Sequence, residues 1–324
     1  MGVTRRLVAV LVVSALAFGG AAAFVTWHDG SLPPFLAAVE ECQAQVDGHL
    51  VELDLEQSGN AALIAAISVQ RGMPARAATI ALAAAYQESD LRNLEYGDRD
   101  SLGLFQQRPS QGWGTRAEIL DPHHAINAFY DALARVDGFT SLPVTEAAQE
   151  VQRSGFPGAY ADHEEDARVL ASALTGNSQA AFWCTVDDDR DAEPTTLDDA
   201  GLTARAADVR SDLARTFGDL PLGGFAPGGV TDGHMPGSAH YEGRAIDVFV
   251  RPVSTANKRR GWAIASYLVG QADRLGISTV IFDDRIWRVA DSAEGWRDYQ
   301  VPSGSTGDRS VLEHRDHVHV DVAP

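Results

Sequence analysis

The period of the apolar residues changes twice along this chain, and each change marks a different kind of element. Residues 7–27, LVAVLVVSALAFGGAAAFVTW, contain no charged side chain; at ~20 residues per crossing, such a run predicts a membrane-spanning helix. From Gln43 to Leu174 the apolar positions recur every three to four residues, in NAALIAAISVQRG (60–72), ARAATIALAAAYQESDL (75–91), HAINAFYDALARV (124–136), TEAAQEVQ (145–152) and EEDARVLASALTG (164–176). That spacing predicts a bundle of helices. Beyond residue 200, helical LTARAADVRSDLART (202–216) and ANKRRGWAIASYLVGQADRLG (256–276) alternate with strand-like RAIDVFV (244–250), ISTVIFDDRIWRVA (277–290, turning at Asp283-Asp284) and HVHVDV (317–322). Such alternation predicts a small α+β domain with an antiparallel sheet.

The predicted architecture is therefore α+β overall: a stub (1–6), a membrane helix (7–27), a stalk (28–41), an all-α domain (42–185), an acid-rich linker VDDDRDAEPTTLDDA (186–200) and the small α+β domain (201–324). Arg5 and Arg6 precede the apolar run, so the N-terminus is expected in the cytoplasm and the bulk outside, as a single-pass membrane protein. Cleavage near Ala21-Ala22-Ala23 would secrete the bulk instead. In an oxidising compartment the two cysteines, Cys42 and Cys184, are expected to form one disulfide, the alternative being two buried thiols. A net charge of −19 argues against nucleic acid as a partner, since phosphate binding needs a basic face.

Candidate chemistry lies on the last strands. In HVHVDV, Val318, Val320 and Val322 share one face, and His317, His319 and Asp321 the other. Asp247 alternates with Ala245 and Phe249 in RAIDVFV, so pairing of the two strands would bring Asp247 to His319. His240 precedes Asp247 by one sharp turn at Gly243. Two imidazoles and a carboxylate, with a fourth position for water, make up a catalytic zinc site. His234 and His314 are read as outer groups or as exposed side chains. In the helical region, Glu88 falls at the end of an Ala-rich helix; the helix dipole and burial both disfavour its ionised form, as a general acid requires.

Ser238, His240, Gly243, Ala245 and Asp247 spell S-x-H-x-x-G-x-A-x-D, which resembles the zinc signature of the D-alanyl-D-alanine carboxypeptidase family and its endolysin and VanY-type relatives. The resemblance implies Zn2+ held by His240, Asp247 and His319, with Asp316 as the general base or Glu313 as its rival. It further implies His317 assisting the water or the oxyanion, and Ser238 beside the substrate. The chain departs from that pattern in having no arginine before the first histidine, in GGFAPGGVTDGHMPG (223–237). ISTVIFDDRIWR with HRDHVHV also resembles a C-terminal domain of uncharacterised actinobacterial surface proteins. Some of these bear a heavy-metal-transporter label that one membrane span does not justify.

Glu88-Ser89, then Ser101-Leu102-Gly103-Leu104-Phe105-Gln106 and Pro109, resemble the lysozyme-like lytic transglycosylases over roughly residues 55–176. The resemblance implies Glu88 as the one catalytic acid, Gln106 and Gln107 lining the cleft, and Tyr160, within VQRSGFPGAYADH, beside it. Asp98 and Asp100 are read as solvated loop acids, and Trp113 and Tyr86 as sugar-stacking or core aromatics. Both resemblances imply a peptidoglycan hydrolase, a metallopeptidase whose zinc activates water against stem-peptide amides, and the expected topology anchors it in the membrane. A non-catalytic peptidoglycan-binding scaffold is the alternative; metal sensing or transport, resting on the histidines alone, is the third.

Overall fold

Among the described residues the first regular elements are strands, where the sequence led us to expect helices alone from residue 42. In the computed structural model, which describes residues 39–156 and 158–324, β1 (Glu41–Val46) and β2 (His49–Leu53) form an antiparallel hairpin. Asp47 and Gly48 turn it with φ of 51° and 86°, the left-handed pair that a two-residue hairpin loop needs. The other edge of β1 pairs with β3 (Phe182–Thr185), setting Cys42 opposite Cys184. The two are disulfide-bonded across 142 residues, a closure that stabilises by ~2–5 kcal/mol. The all-α expectation for 42–185 is corrected by this small sheet. Its short alternating segments and Asp-Gly turn are a local signal for a hairpin, but no local pattern announces β3 as the third strand.

Helices carry the rest of this half. α1 (Leu55–Gln70) starts at a capping box in which Asp54 and Gln57 exchange hydrogen bonds. α2 (Ala75–Ser89) is buried continuously from Ala77 to Ala85, apolar all round as a central helix must be. It is wrapped by α1, α4 (Val144–Gln152) and α5 (Glu164–Leu174), with α3 (Pro122–Leu133) crossing behind. Its final turn, with Glu88, reaches the rim.

The second half opens with α6 (Ala204–Phe217) and builds one antiparallel sheet from β4 (Leu222–Gly223), β5 (Ala245–Phe249), β6 (Ile277–Phe282), β7 (Arg285–Arg288), β8 (Arg297–Asp298) and β9 (His317–Val322). Its order is β4-β5-β9-β6-β7-β8, so the last strand lies in the middle. α7 (Thr255–Gly270) packs on it and also on α1. That second contact is close: a Cβ on Gly270 would meet the Ala62 Cβ at 2.9 Å. Trp287 and Trp296 donate their indole N–H groups to Cys184 O (3.0 Å) and Phe182 O (2.7 Å).

Residues 40–324 thus form one compact unit with a continuous core. The acid-rich stretch 186–200 has no helix or strand, but it lies as a strap across that unit. Arg190 pairs with Asp273 at 2.7 Å, and Arg205 donates to Asp191 O at 2.6 Å and Pro324 O at 2.8 Å. The predicted stub, membrane helix and most of the stalk lie outside the described residues; among the described residues no helix is long and apolar enough to cross a membrane.

Candidate functional site

Glu88 sits on the last turn of α2, and its Oε1 accepts a hydrogen bond from the Tyr160 hydroxyl at 2.7 Å. Tyr160, in the 3-10 turn Ala159–His163, is wholly buried. Burial pushes the Glu88 carboxyl above its ordinary pKa, against hydrogen bonds from Tyr160 and Gln152 that pull it down. Ser89 donates to Leu104 O at 2.7 Å, which ties the Ser101–Gln107 loop to the helix end. In that loop Gln106 folds back to Tyr96 O (3.2 Å), and the buried Gln107 donates to Ala125 O (3.1 Å). Asp100 is engaged by Arg108 at 2.6 Å and the Ser110 N–H at 2.9 Å, and Asp98 lies 3.8 Å from Arg99. Gln152 also lines a neighbouring groove of about 900 Å³ with Trp113, Arg135, Glu150 and Arg153. Tyr86 stacks on His163 at 5.4 Å.

The second cluster is built on paired strands. Asp247 of β5 and His319 of β9 are direct cross-strand partners, so their side chains leave the sheet together. His240 arrives from the 3-10 turn Ala239–Glu242, where the Ser238 side chain accepts from the His240 N–H as a cap. Gly243 closes that turn at φ 69°, and a Cβ there would lie 2.6 Å from Gly201 O. His240 Nδ1 donates to Gly224 O at 2.7 Å; any Cβ on Gly224, itself at φ 81°, would stand 2.5 Å from that nitrogen. These contacts account for the glycines in physical terms: the imidazole lies directly against backbone.

Three atoms converge. His240 Nε2 and His319 Nδ1 are 3.1 Å apart, His319 Nδ1 and Asp247 Oδ1 3.1 Å, and His240 Nε2 and Asp247 Oδ1 3.3 Å. A tetrahedral zinc with bonds of ~2.05 Å needs ligand-to-ligand edges of ~3.3 Å. Both imidazoles direct their remaining nitrogen at an acceptor, Gly224 O for His240 and Asp321 Oδ1 at 2.7 Å for His319. That arrangement orients metal-ligating histidines. Although burial opposes it, Asp321 and Asp247 push His319 up to about 10, and a cation at Nδ1 would take the place of that proton. Burial alone would raise Asp247; hydrogen bonds from His240 and His319 instead hold it well below the usual carboxylate range. Size, donor types and outer contacts all fit a zinc ion.

Next to this triangle, Asp316 is buried with one oxygen on His317 Nδ1 (2.7 Å) and the other on Arg251 Nε (2.6 Å). It reaches the cluster through His317, whose Nε2 stands 3.7 Å from Asp247 Oδ1. Glu313 is engaged by Arg309 and, at 2.7 Å, by Arg315. His314 packs against His317 and His319, at ring distances of 4.7 and 5.6 Å. Burial and the fields of those two rings push it down to about 2.

Residues 198–310 match the family model for the VldE C-terminal domain. The VldE-like segment takes in His240 and Asp247 and ends before β9, so His319 reaches its partners from outside it. No curated protein matches the chain.

Of the residues singled out from sequence, the structure brings together His240, Asp247, His319, His317 and Asp316 in one place, and Glu88 with Tyr160 in another. Ser238, expected beside substrate, is occupied as the cap of the His240 turn. Gln106 is turned onto its own loop. Three participants had no role assigned from sequence. Asp321 carried a signal, standing two residues beyond His319 on the same strand face. Arg251 continues the alternation of Asp247 and Phe249, but past the end of β5. Gly224 gave no signal, because a backbone carbonyl has no residue type.

Proposed function

We propose that the chain is a zinc-dependent peptidase of peptidoglycan stem peptides, anchored by residues 7–27, with a lysozyme-like half that binds or cleaves glycan. The observation that carries this reading is the triangle of His240 Nε2, Asp247 Oδ1 and His319 Nδ1 with edges of 3.1–3.3 Å. Zinc held there would supply Lewis-acid polarisation of the scissile carbonyl and acidification of water. The substrate class rests on the likeness of Ser238–Asp247 to the carboxypeptidase signature, and on the topology expected from residues 1–27, which would put both halves where peptidoglycan lies.

The residues around the triangle divide the remaining work. Asp316 at Nδ1 leaves His317 Nε2 free on the cluster side. His317 takes the proton as water attacks the amide carbon, and returns it to the amine as the C–N bond breaks. Arg251, pinned at Nε by Asp316 and lying 4.1 Å over the Phe249 ring, keeps its two terminal nitrogens for a substrate carbonyl or carboxylate. That would fill the task for which no arginine precedes His240. In the other half, the raised pKa of Glu88 supports a general acid, and the groove beyond Gln152 supports a bound glycan strand.

Digestion of purified peptidoglycan by residues 40–324, with products separated by mass, tests both halves. Wild type, His240→Ala and Glu88→Gln are compared with and without zinc. Stem-peptide fragments lost in His240→Ala, and glycan fragments lost in Glu88→Gln, support a two-site hydrolase. A wild type that binds zinc and yields no products leaves the non-catalytic scaffold, which the absence of an arginine from residues 223–237, just before His240, favours.

A further inference from the structure

The Gly-rich connection between β4 and the His240 turn runs over the triangle, and from Thr231 to Gly237 every residue but one is exposed. The exception is His234. Its ring stacks on His240 with centroids 3.9 Å apart and planes 28° off parallel. One ligand atom from each of His234, His240 and Asp247 lies within 4.8 Å of the other two. Its backbone is held at both ends by one side chain: the His234 N–H donates to the Tyr241 hydroxyl at 3.0 Å, and that hydroxyl donates to His234 O at 2.6 Å. A bystander histidine on a solvated loop has no need of such a clip.

Resting on the metal-site reading above, we propose that His234 is a fourth, displaceable ligand to the cation held by His240, Asp247 and His319. It closes the coordination sphere at rest and gives way when a substrate carbonyl arrives. Three protein ligands leave one vertex of a tetrahedron, and the imidazole stacked on His240 is the donor on the loop side. Its ligand atom lies no more than 4.8 Å from those of His240 and Asp247, so reaching edges of ~3.3 Å asks the loop tip to advance by at most ~1.5 Å. Gly233 and Gly237, at φ 87° and 81° with no atom where a Cβ would sit, bracket His234 and give its backbone room to shift by that amount. The Tyr241 clip then sets how often the ligand leaves.

Cobalt(II) alone, added to metal-free protein, probes this without any turnover. Acetohydroxamate competes for an exchangeable position and changes the visible cobalt bands. The expected result is half-saturation of His234→Ala at about 10-fold lower acetohydroxamate than wild type, as a closed form favoured ~10:1 requires. Tyr241→Phe should fall between them. Equal half-saturation in all three proteins would overturn the proposal while leaving the three-ligand site intact. His240→Ala is the control for that site: loss of the cobalt bands supports it, whereas wild-type cobalt binding removes the underlying reading and this inference with it.

Discussion

The two candidate sites on this chain are held in opposite ways. Glu88 stands at the end of a single buried helix and meets Tyr160 and Gln152 from more distant segments. One carboxyl is tuned there by burial, and Gln106 and Gln107 are turned onto backbone. The histidine cluster is held by hydrogen-bonded strands, with Asp247 and His319 in fixed register and each ligand nitrogen aimed by an outer acceptor. A helix end tunes one group, whereas paired strands set several groups at defined mutual distances. Metal chemistry depends on those mutual distances; acid catalysis depends on one pKa.

Substitutions sharpen that contrast. Asp247→Asn should have the largest effect, removing zinc binding by calorimetry and lowering peptide cleavage by more than ~10⁴-fold, beyond what loss of a proton-transfer group alone costs. His317→Gln should lower kcat for peptide cleavage by ~10²–10⁴-fold while leaving zinc affinity within a few-fold; lost zinc affinity would make it a ligand instead of a base.

For Glu88→Gln, glycan cleavage should fall by at least ~10²-fold with peptide cleavage unchanged. Its sign with pH is fixed by the raised pKa. The protonated carboxyl favours the fold below the unfolded value of ~4.3, and that advantage is lost as pH rises through the raised folded value. The variant should therefore gain stability relative to wild type as pH climbs, read by thermal melts across the range. Asp321→Asn should weaken zinc by ~10–100-fold through the orientation of His319. Smallest, Gly270→Ala should cost about 1–3 kcal/mol in urea unfolding, because its Cβ would press on Ala62, with zinc affinity untouched. Loss of either site's function there would show that the packing of α1 on α7 also governs the sites.

Most of the helices were legible because their period is local, and Asp283-Asp284 marks the β6–β7 turn; the capping box of Asp54 and Gln57, which starts α1 at Leu55 ahead of the expected Asn60, was not read. That His240, Asp247 and His319 come together was legible for a similar reason. Alternation in RAIDVFV and HVHVDV assigns faces, and the sharp turn at Gly243 places His240 near Asp247. The small sheet was missed although Asp47-Gly48 announces a hairpin, since β3 joins it from 142 residues away through Cys184. Likewise the acid-rich stretch has the composition of a linker and no regular structure, yet the Arg190–Asp273 pair and the bond from Arg205 to Asp191 O hold it against the body.

Sequence by itself determined which side chains can chelate and which face each strand offers, because both follow from residue type and a period of two. Tertiary structure alone decided that β9 lies between β5 and β6, that Asp316 serves His317 and Arg251, and that the two halves share one core. Those outcomes depend on partners far apart in the chain, and only closure of the long loops brings them within contact distance.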